Sequence, residues 1–397
     1  MVSQPKKASA PSALALSLCR FFCLALVVIA LFAAPALAAT EASPPLGELC
    51  LLPALEKSLA QYRHLAEQGG WVQVPGGPSL HEGEKNERIP VLKKRLLTSG
   101  DLTATTTQED LFDPLLTVAV QRFQTRHGLT ADGVVGPKTL AELNVPISER
   151  ILQLAASLER CQPLPQLLEP RHILVNIADF TLKLFEDGKP VLSMPVIVGK
   201  TYRQTPVFSG RIATLVLNPS WEVPHSIATK DLLPKIKKNP ASLAKLHLRV
   251  FRDWKGTTAI DPATIDWTNL SVAHFPYRLS QAPGPDNALG QVKFLFPNPY
   301  DVYLHDTPAR ELFQKDARTF SSGCIRLHRP LELAVYLLKG TQLGSMDSLT
   351  AAIAREKTQY ITIPAPIPVH IVYMTAWVDP EGTVQFRPDI YHRNPVL

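Results

Sequence analysis

At residue 171 the chain changes its period. Upstream, apolar residues recur every three or four positions, as in "LPALEKSLAQYRHLAEQ". Downstream, "HILVNIADFTLKLFEDGKPVLSMPVIVG" alternates apolar with polar and is rich in β-branched residues. A shift from period 3.6 to period 2 predicts helices first and a mostly β domain after them, an α+β chain. Asp187-Gly188, between two alternating runs, predicts a hairpin turn. "RIATLVLNP", "VKFLF" and "DVYLHD" are further strand candidates, and the tail predicts another hairpin about Glu381-Gly382. Between Trp221 and Gly290 the alternation gives way to "IATKDLLPKIKKNPASLAKL" and Pro-rich sequence. A helical and irregular insertion over about 222–290 is expected there, with Trp221, Trp254 and Trp267 anchoring its small core.

A chain of 397 residues has room for more than one core. Residues 40–85 predict a helical lead-in and a Gly/Pro-rich loop. Residues 86–146 predict three short helices: one starting at Pro90, one capped by Asp113 with Pro114 behind it, and one restarting at Pro137. Residues 147–170 predict a linking helix. The β domain is expected over 171–345 and a C-terminal segment with a hairpin over 346–397.

The first 39 residues read as an export leader. Lys6 and Lys7 open it, the apolar run Phe21–Phe32 follows Arg20, and "APALAAT" offers an A-x-A cleavage site at Ala36 and Ala38. Twelve apolar residues are short for a bilayer span. An uncleaved anchor is the alternative, and only then is a membrane a partner. Cleavage removes three cations and no carboxylate, so the net charge falls from +6 to +3. That mild balance, without a nucleic-acid motif, excludes a nucleic-acid binder as the simple reading. There is no HExxH, no CxxC and no glycine-rich phosphate loop, so neither metal nor cofactor is expected.

Of five cysteines, Cys19 and Cys23 leave with the leader, and Cys50, Cys161 and Cys324 remain. Cys324 sits in "HDTPARELFQKDARTFSSGCIRLH", nineteen residues after His305. A thiol near neutral pH needs a base to become a nucleophile, and imidazole is the side chain suited to that range. Backbone N–H groups at a sharp turn, here Gly323 and Cys324, are suited to hold the oxyanion of an attacked carbonyl. From spacing alone, nucleophile and inert buried thiol remain equally open.

Two stretches resemble known families. "AVQRFQTRHGLTADGVVGPKTLAEL" resembles the three-helix peptidoglycan-binding module of bacterial wall enzymes, which implies a tether to the wall. "YLHDTPARELF" with "FSSGCIRL" resembles the active-site motif of the L,D-transpeptidases, the YkuD-type catalytic domain; many members have His where this chain has Ser322. "LVNIADFTLKLFEDGKPVLSMPVIVGKTYRQTPVFSG" resembles that family's opening strands, and the insertion resembles the capping subdomain of its long periplasmic members. The resemblance implies a monomeric periplasmic enzyme acting on peptidoglycan stem peptides and the glycan wall. Cys324 would attack the third stem residue, form a thioester and expel the terminal D-alanine, and an amine from a second stem would resolve it into a 3–3 cross-link. Water as acceptor would make a carboxypeptidase, and a dead site would leave a wall-binding scaffold. The resemblance gives His305 the role of base and carbapenems that of acylating inhibitors. Gly323 is the expected oxyanion donor, with Tyr303, Asp306 and Ser322 as substrate contacts. Arg326 is left between binding a substrate carboxylate and bracing the loop.

Three cysteines in an oxidising compartment leave one unpaired. Cys50 opens the lead-in helix and Cys161 ends the linker helix, so a Cys50–Cys161 bond would close the module between them into a loop. Pairing with Cys324 would cost that residue its function.

Overall fold

The computed structural model describes residue 1 and residues 50–104, 108–253 and 255–395. The leader and Trp254 therefore lie outside the described residues. No helix among the described residues is long and apolar enough to cross a membrane.

Helices come first: α1 (Leu52–Glu67), α2 (Ile89–Thr98), α3 (Pro114–Arg126), α4 (Pro137–Leu143) and α5 (Ile147–Cys161), with a single further turn at Leu164–Leu167. Pro stands in the first turn of α1 to α4, where no intrahelical bond needs its missing N–H. The Asp113 carboxylate caps α3 by accepting from Leu116 N–H at 2.9 Å. α2, α3 and α4 share a core of Ile89, Leu92, Leu96, Leu116, Phe123 and Leu143. Below it the Arg126 guanidinium meets the Asp101 carboxylate with two bonds of 2.6 Å, both side chains buried. Burial alone would lower the Arg126 pKa, yet the carboxylate raises it. Asp101→Ala strands that charge and should cost about 3–5 kcal/mol of stability, read from urea unfolding of the whole protein. A loss under about 1 kcal/mol would mean the pair is solvated in solution.

The three-helix unit is not hung on a free tether. Its His127 ring stacks on Phe386 at 5.5 Å, and Arg387 donates to the Arg126 carbonyl at 3.2 Å. A Cβ on Gly128 would lie 2.6 Å from the Arg387 side chain, so glycine is what lets the two parts approach. Thr130 and Lys138 both reach Asp316, at 3.3 and 2.6 Å.

From Arg171 the strands follow: β1 (Arg171–Asn176), β2 (Thr181–Glu186), β3 (Lys189–Gly199), β4 (Phe208–Leu217), β5 (Trp221–Glu222), β6 (Leu248–Phe251), β7 (Ala259–Ile260), β8 (Arg278–Gln281), β9 (Val292–Leu295), β10 (Leu304–His305), β11 (Thr319–Ser321), β12 (Ile325–Leu327), β13 (Gln359–Val372), β14 (Ala376–Val378) and β15 (Val384–Phe386). Asp187 and Gly188 take φ of 48° and 76°, the left-handed pair a tight β2–β3 hairpin demands. Nine strands form one sheet in the order β11-β3-β12-β10-β9-β4-β13-β1-β2, and β2 pairs again with β3. The sheet therefore closes on itself as a barrel, and the long β3 joins its two ends. Its core is filled by Val175, Leu184, Val198, Leu215, Phe294 and Ile371, among others. Two short helices, α6 (Pro330–Leu337) and α7 (Met346–Ile353), supply Leu333, Leu337 and Leu349 to the same core.

The structure differs from the sequence reading in two places. Residues 346–397 are not a segment apart: β13 lies in the middle of the barrel, parallel to β1 and antiparallel to β4, and only β14–β15 form the expected hairpin. The insertion is not only helical and irregular: β5, β8, β6 and β7 form a four-stranded sheet beneath its helices. Its strands of two to four residues are too short to show a period. Trp267 is buried in that subdomain's core and Trp221 packs against it.

Cys50 and Cys161 lie side by side with Cα atoms 5.6 Å apart, within the span a disulfide needs. The bond would close a loop of 111 residues, worth about 4–5 kcal/mol on chain-entropy grounds. Alkylation of denatured, unreduced, leader-free protein should label Cys324 alone; label on all three cysteines would remove the bond.

Candidate active site

The site is a row across the barrel. β10 runs parallel to β12 with His305 opposite Arg326, and antiparallel to β9 with His305 opposite Lys293. Lys293, His305 and Arg326 therefore stand abreast on one face. Their neighbours Leu304, Ile325, Val292 and Phe294 point through the sheet into the core. Tyr303, two residues before His305, shares its face. Its ring lies 5.5 Å from the imidazole, and Lys293 Nζ stands 3.8 Å from the Tyr303 ring centre. Cys324 comes just before β12, held level with Tyr303 by the Ile325 N–H to Tyr303 carbonyl bond of 3.1 Å.

The thiol is half-buried, with Asp301 O at 3.8 Å. Burial pushes its pKa up, and the Tyr303 hydroxyl, Lys293 and Arg326 pull the other way without overcoming it. His305 is buried and its pKa is pushed down to about 3, first by burial and then by the Arg326 charge. Both groups are therefore neutral at pH 7, a thiol and an imidazole, not a thiolate and an imidazolium. The imidazole tautomer follows from one bond, since His305 Nδ1 lies 2.5 Å from the Asp306 carbonyl oxygen. A carbonyl only accepts, so Nδ1 carries the proton and Nε2 keeps its lone pair.

Three expected residues stand differently from their sequence reading. Gly323 has φ of 117°, which explains glycine there, but its N–H donates to Ser321 Oγ at 3.1 Å and is not offered to a substrate. The Cys324 N–H has no partner among the described residues. Asp306 is not brought to the thiol: its carboxylate accepts from Gln291 N–H at 2.9 Å and pairs with Arg310. Its contribution is the carbonyl that orients His305. It lines a cavity of about 420 Å³ with Gly290, Arg310 and His328, away from Cys324. Ser322 is held by Arg203 at 3.1 Å. Arg326 stays in the row, and its buried Nε finds no partner among the described residues. Lys293 was missed because a lone Lys in a strand reads as a solvated face; the alternation of "QVKFLF" against "YLH" is the signal that would have found it.

Residues 170–346 match the family model described as the L,D-transpeptidase catalytic domain. Residues 170–346 of this chain are thus similar to that catalytic domain. Ahead of it, residues 85–143 match a model described as "putative peptidoglycan binding domain". A Haemophilus influenzae protein called "putative L,D-transpeptidase" is 38% identical over 239 residues, which cover 60% of this chain and 47% of that one. The chain thus spans about half the length of that relative. Solved chains described as L,D-transpeptidases from Xylanimonas cellulosilytica and Stackebrandtia nassauensis align at 12% and 14% identity with TM-scores of 0.23 and 0.25. Those alignments cover 75% of this chain in both cases and 99% and 97% of the solved chains, likenesses too slight to bear weight. Both His305 and Cys324 lie within residues 170–346, the stretch that matches the catalytic-domain model.

Proposed function

We propose that the chain is a cysteine acyltransferase of peptidoglycan stem peptides. The Cys324 sulfur attacks the carbonyl that precedes the donor's terminal D-alanine while its proton passes to His305 Nε2. The C–N bond then breaks, that proton leaves with the D-alanine amine, and a thioester remains. An amine from a second stem adds to the thioester, its proton passes through His305 to the departing sulfur, and the 3–3 amide is formed. The Cys324 N–H and the Tyr303 hydroxyl hold the oxyanion at each tetrahedral stage. Lys293 and Arg326 provide a cationic wall for the carboxylates of the stem.

The observation that carries this reading is the His305 tautomer. With Nδ1–H tied to Asp306 O, the free lone pair belongs to Nε2, and low basicity keeps it available at neutral pH. The module at residues 85–143 supports a wall substrate, and its docking beside residue 316 supports presentation of that wall near the site. We place the protein outside the cytoplasm, in the cell envelope, with the leader removed. Incubation with a purified disaccharide-tetrapeptide, followed by mass analysis, tests the reading. Cross-linked dimers minus one D-alanine are expected. Tripeptide alone would make the protein a carboxypeptidase, and no product would leave only wall binding.

A further inference from the structure

One loop grips the turn that carries Cys324. Lys200 N–H donates to the Ser321 carbonyl at 3.0 Å, Arg203 to Ser322 Oγ at 3.1 Å, and Thr205 Oγ1 to the Gly323 carbonyl at 2.8 Å. Three successive residues of the nucleophile turn are thus held from residues 200–205. The loop is itself tightly folded: Gly199 N–H donates to Thr205 Oγ1 at 2.9 Å, and a Cβ on Gly199 would lie 2.1 Å from Arg203 O. The tail backs it, since the Tyr391 hydroxyl accepts from Thr205 N–H at 3.2 Å and donates to Gly199 O at 2.5 Å.

Arg203 reaches further than its neighbours. The Nη1 that touches Ser322 also pairs with the Asp231 carboxylate, and Nη2 donates to Ser226 O at 3.3 Å. Ser226 and Asp231 belong to the inserted subdomain. Asp231 lies in residues 228–232, a widened π-type turn between helical segments, a distortion that recurs at functional sites. The pair is mostly covered, with the Arg203 side chain 16% and the Asp231 side chain 29% exposed. One side chain therefore joins the inserted subdomain to the residue two before the nucleophile.

We propose that Arg203 is a positioning residue that couples the inserted subdomain to the nucleophile turn and biases resolution of the acyl-enzyme toward an amine and away from water. The proposal rests on the acyl-transfer reading above. Resolution breaks the C–S bond and forms either C–N or C–O, and in both cases the acceptor's proton travels through His305 to sulfur. The same residues serve both acceptors, so access is what separates them. A subdomain held against the turn excludes bulk water, and a bound stem amine needs no bulk water. A released subdomain admits it.

The test compares wild type, Arg203→Ala, Arg203→Lys and Asp231→Asn on a purified disaccharide-tetrapeptide. The readouts are the dimer-to-tripeptide ratio and, separately, the carbapenem adduct on the intact protein. The ratio should fall about five-fold in Arg203→Ala and Asp231→Asn, the size expected of a partly covered ion pair. Arg203→Lys, which keeps the charge but not the fork, should fall between them and wild type. Asp231→Asn leaves the Ser322 contact in place, so it carries the test alone if Arg203→Ala fails to fold. An unchanged ratio in Asp231→Asn overturns the proposal, as does Arg203→Ala lowering both products alike. Wild type that forms the adduct but yields only tripeptide overturns the amine bias. Wild type that forms neither product nor adduct overturns the acyl-transfer reading itself, and the coupling with it.

Discussion

Cys324→Ala abolishes dimer and tripeptide formation together and leaves no carbapenem adduct on the intact protein. The loss is complete because the thioester has no other atom to form on; Cys50 and Cys161 are buried some distance along the chain in a separate core. The fold survives the change. Cys324 is half-buried, and the turn is held by the Ser321, Ser322 and Gly323 contacts, not by the sulfur. An unchanged far-UV spectrum and melting curve, and unchanged retention on insoluble wall, separate lost chemistry from lost structure. Cross-linking that persisted in this variant would remove Cys324 as the nucleophile. Because burial raises the thiol's pKa, iodoacetamide should label Cys324 of the folded protein slowly at pH 7 and faster as the pH rises.

His305→Gln should lower the acylation rate by about 10²–10⁴-fold, the usual contribution of a positioned proton acceptor. The amide keeps a donor toward Asp306 O but supplies no basic nitrogen. The pH profile of the wild type gives a sharper measurement. The His305 pKa, lowered to about 3, leaves the imidazole unprotonated from pH 7 to well below pH 5. The acid limb of kcat/KM for this base therefore belongs near that low value, not at the ~6.5 of a solvated histidine. A limb at 6.5 would mean that His305 is exposed in solution or is not the base. The same shift acts on stability. A histidine whose folded pKa is depressed contributes stability present above about 6.5 and lost as the pH falls toward about 3.

What the sequence showed of this protein followed the range of the forces involved. Period, prolines in first helical turns, the Asp113 cap and the Asp187-Gly188 turn are local, and each was legible. Cys324 also stood out, because a thiol among Ser and Gly is rare. β13 was not legible as a barrel strand. It carries Pro364, Pro366 and Pro368, residues that argue against a central strand; the register shift between Thr362 and Ile367 takes in the first two, while Pro368 stays in register opposite Arg211. The Gly323 N–H looked free because nothing in the string S-S-G-C says that Ser321 turns back onto it. Lys293 and Arg203 draw notice only through their partners in the fold, His305 on the neighbouring strand and Ser322 on a turn 119 residues along the chain.

The place of β13 also sets the order in which this molecule can come into being. Ile173 pairs with Val369, so one seam of the barrel joins residues 196 positions apart (369 − 173). A chain that emerges N-terminus first has made Cys324, His305 and its inserted subdomain before the strand that completes the wall between β1 and β4 exists. Until residues 359–372 arrive, both neighbours present open edges, and no barrel can close. Closure that waits for so distant a partner is slow, because the entropy of the intervening loop is lost before the seam is gained. The thiol therefore acquires its environment last. An unfinished chain is inert, and removing the last forty residues would take catalysis away as surely as removing Cys324, without touching an atom that reacts.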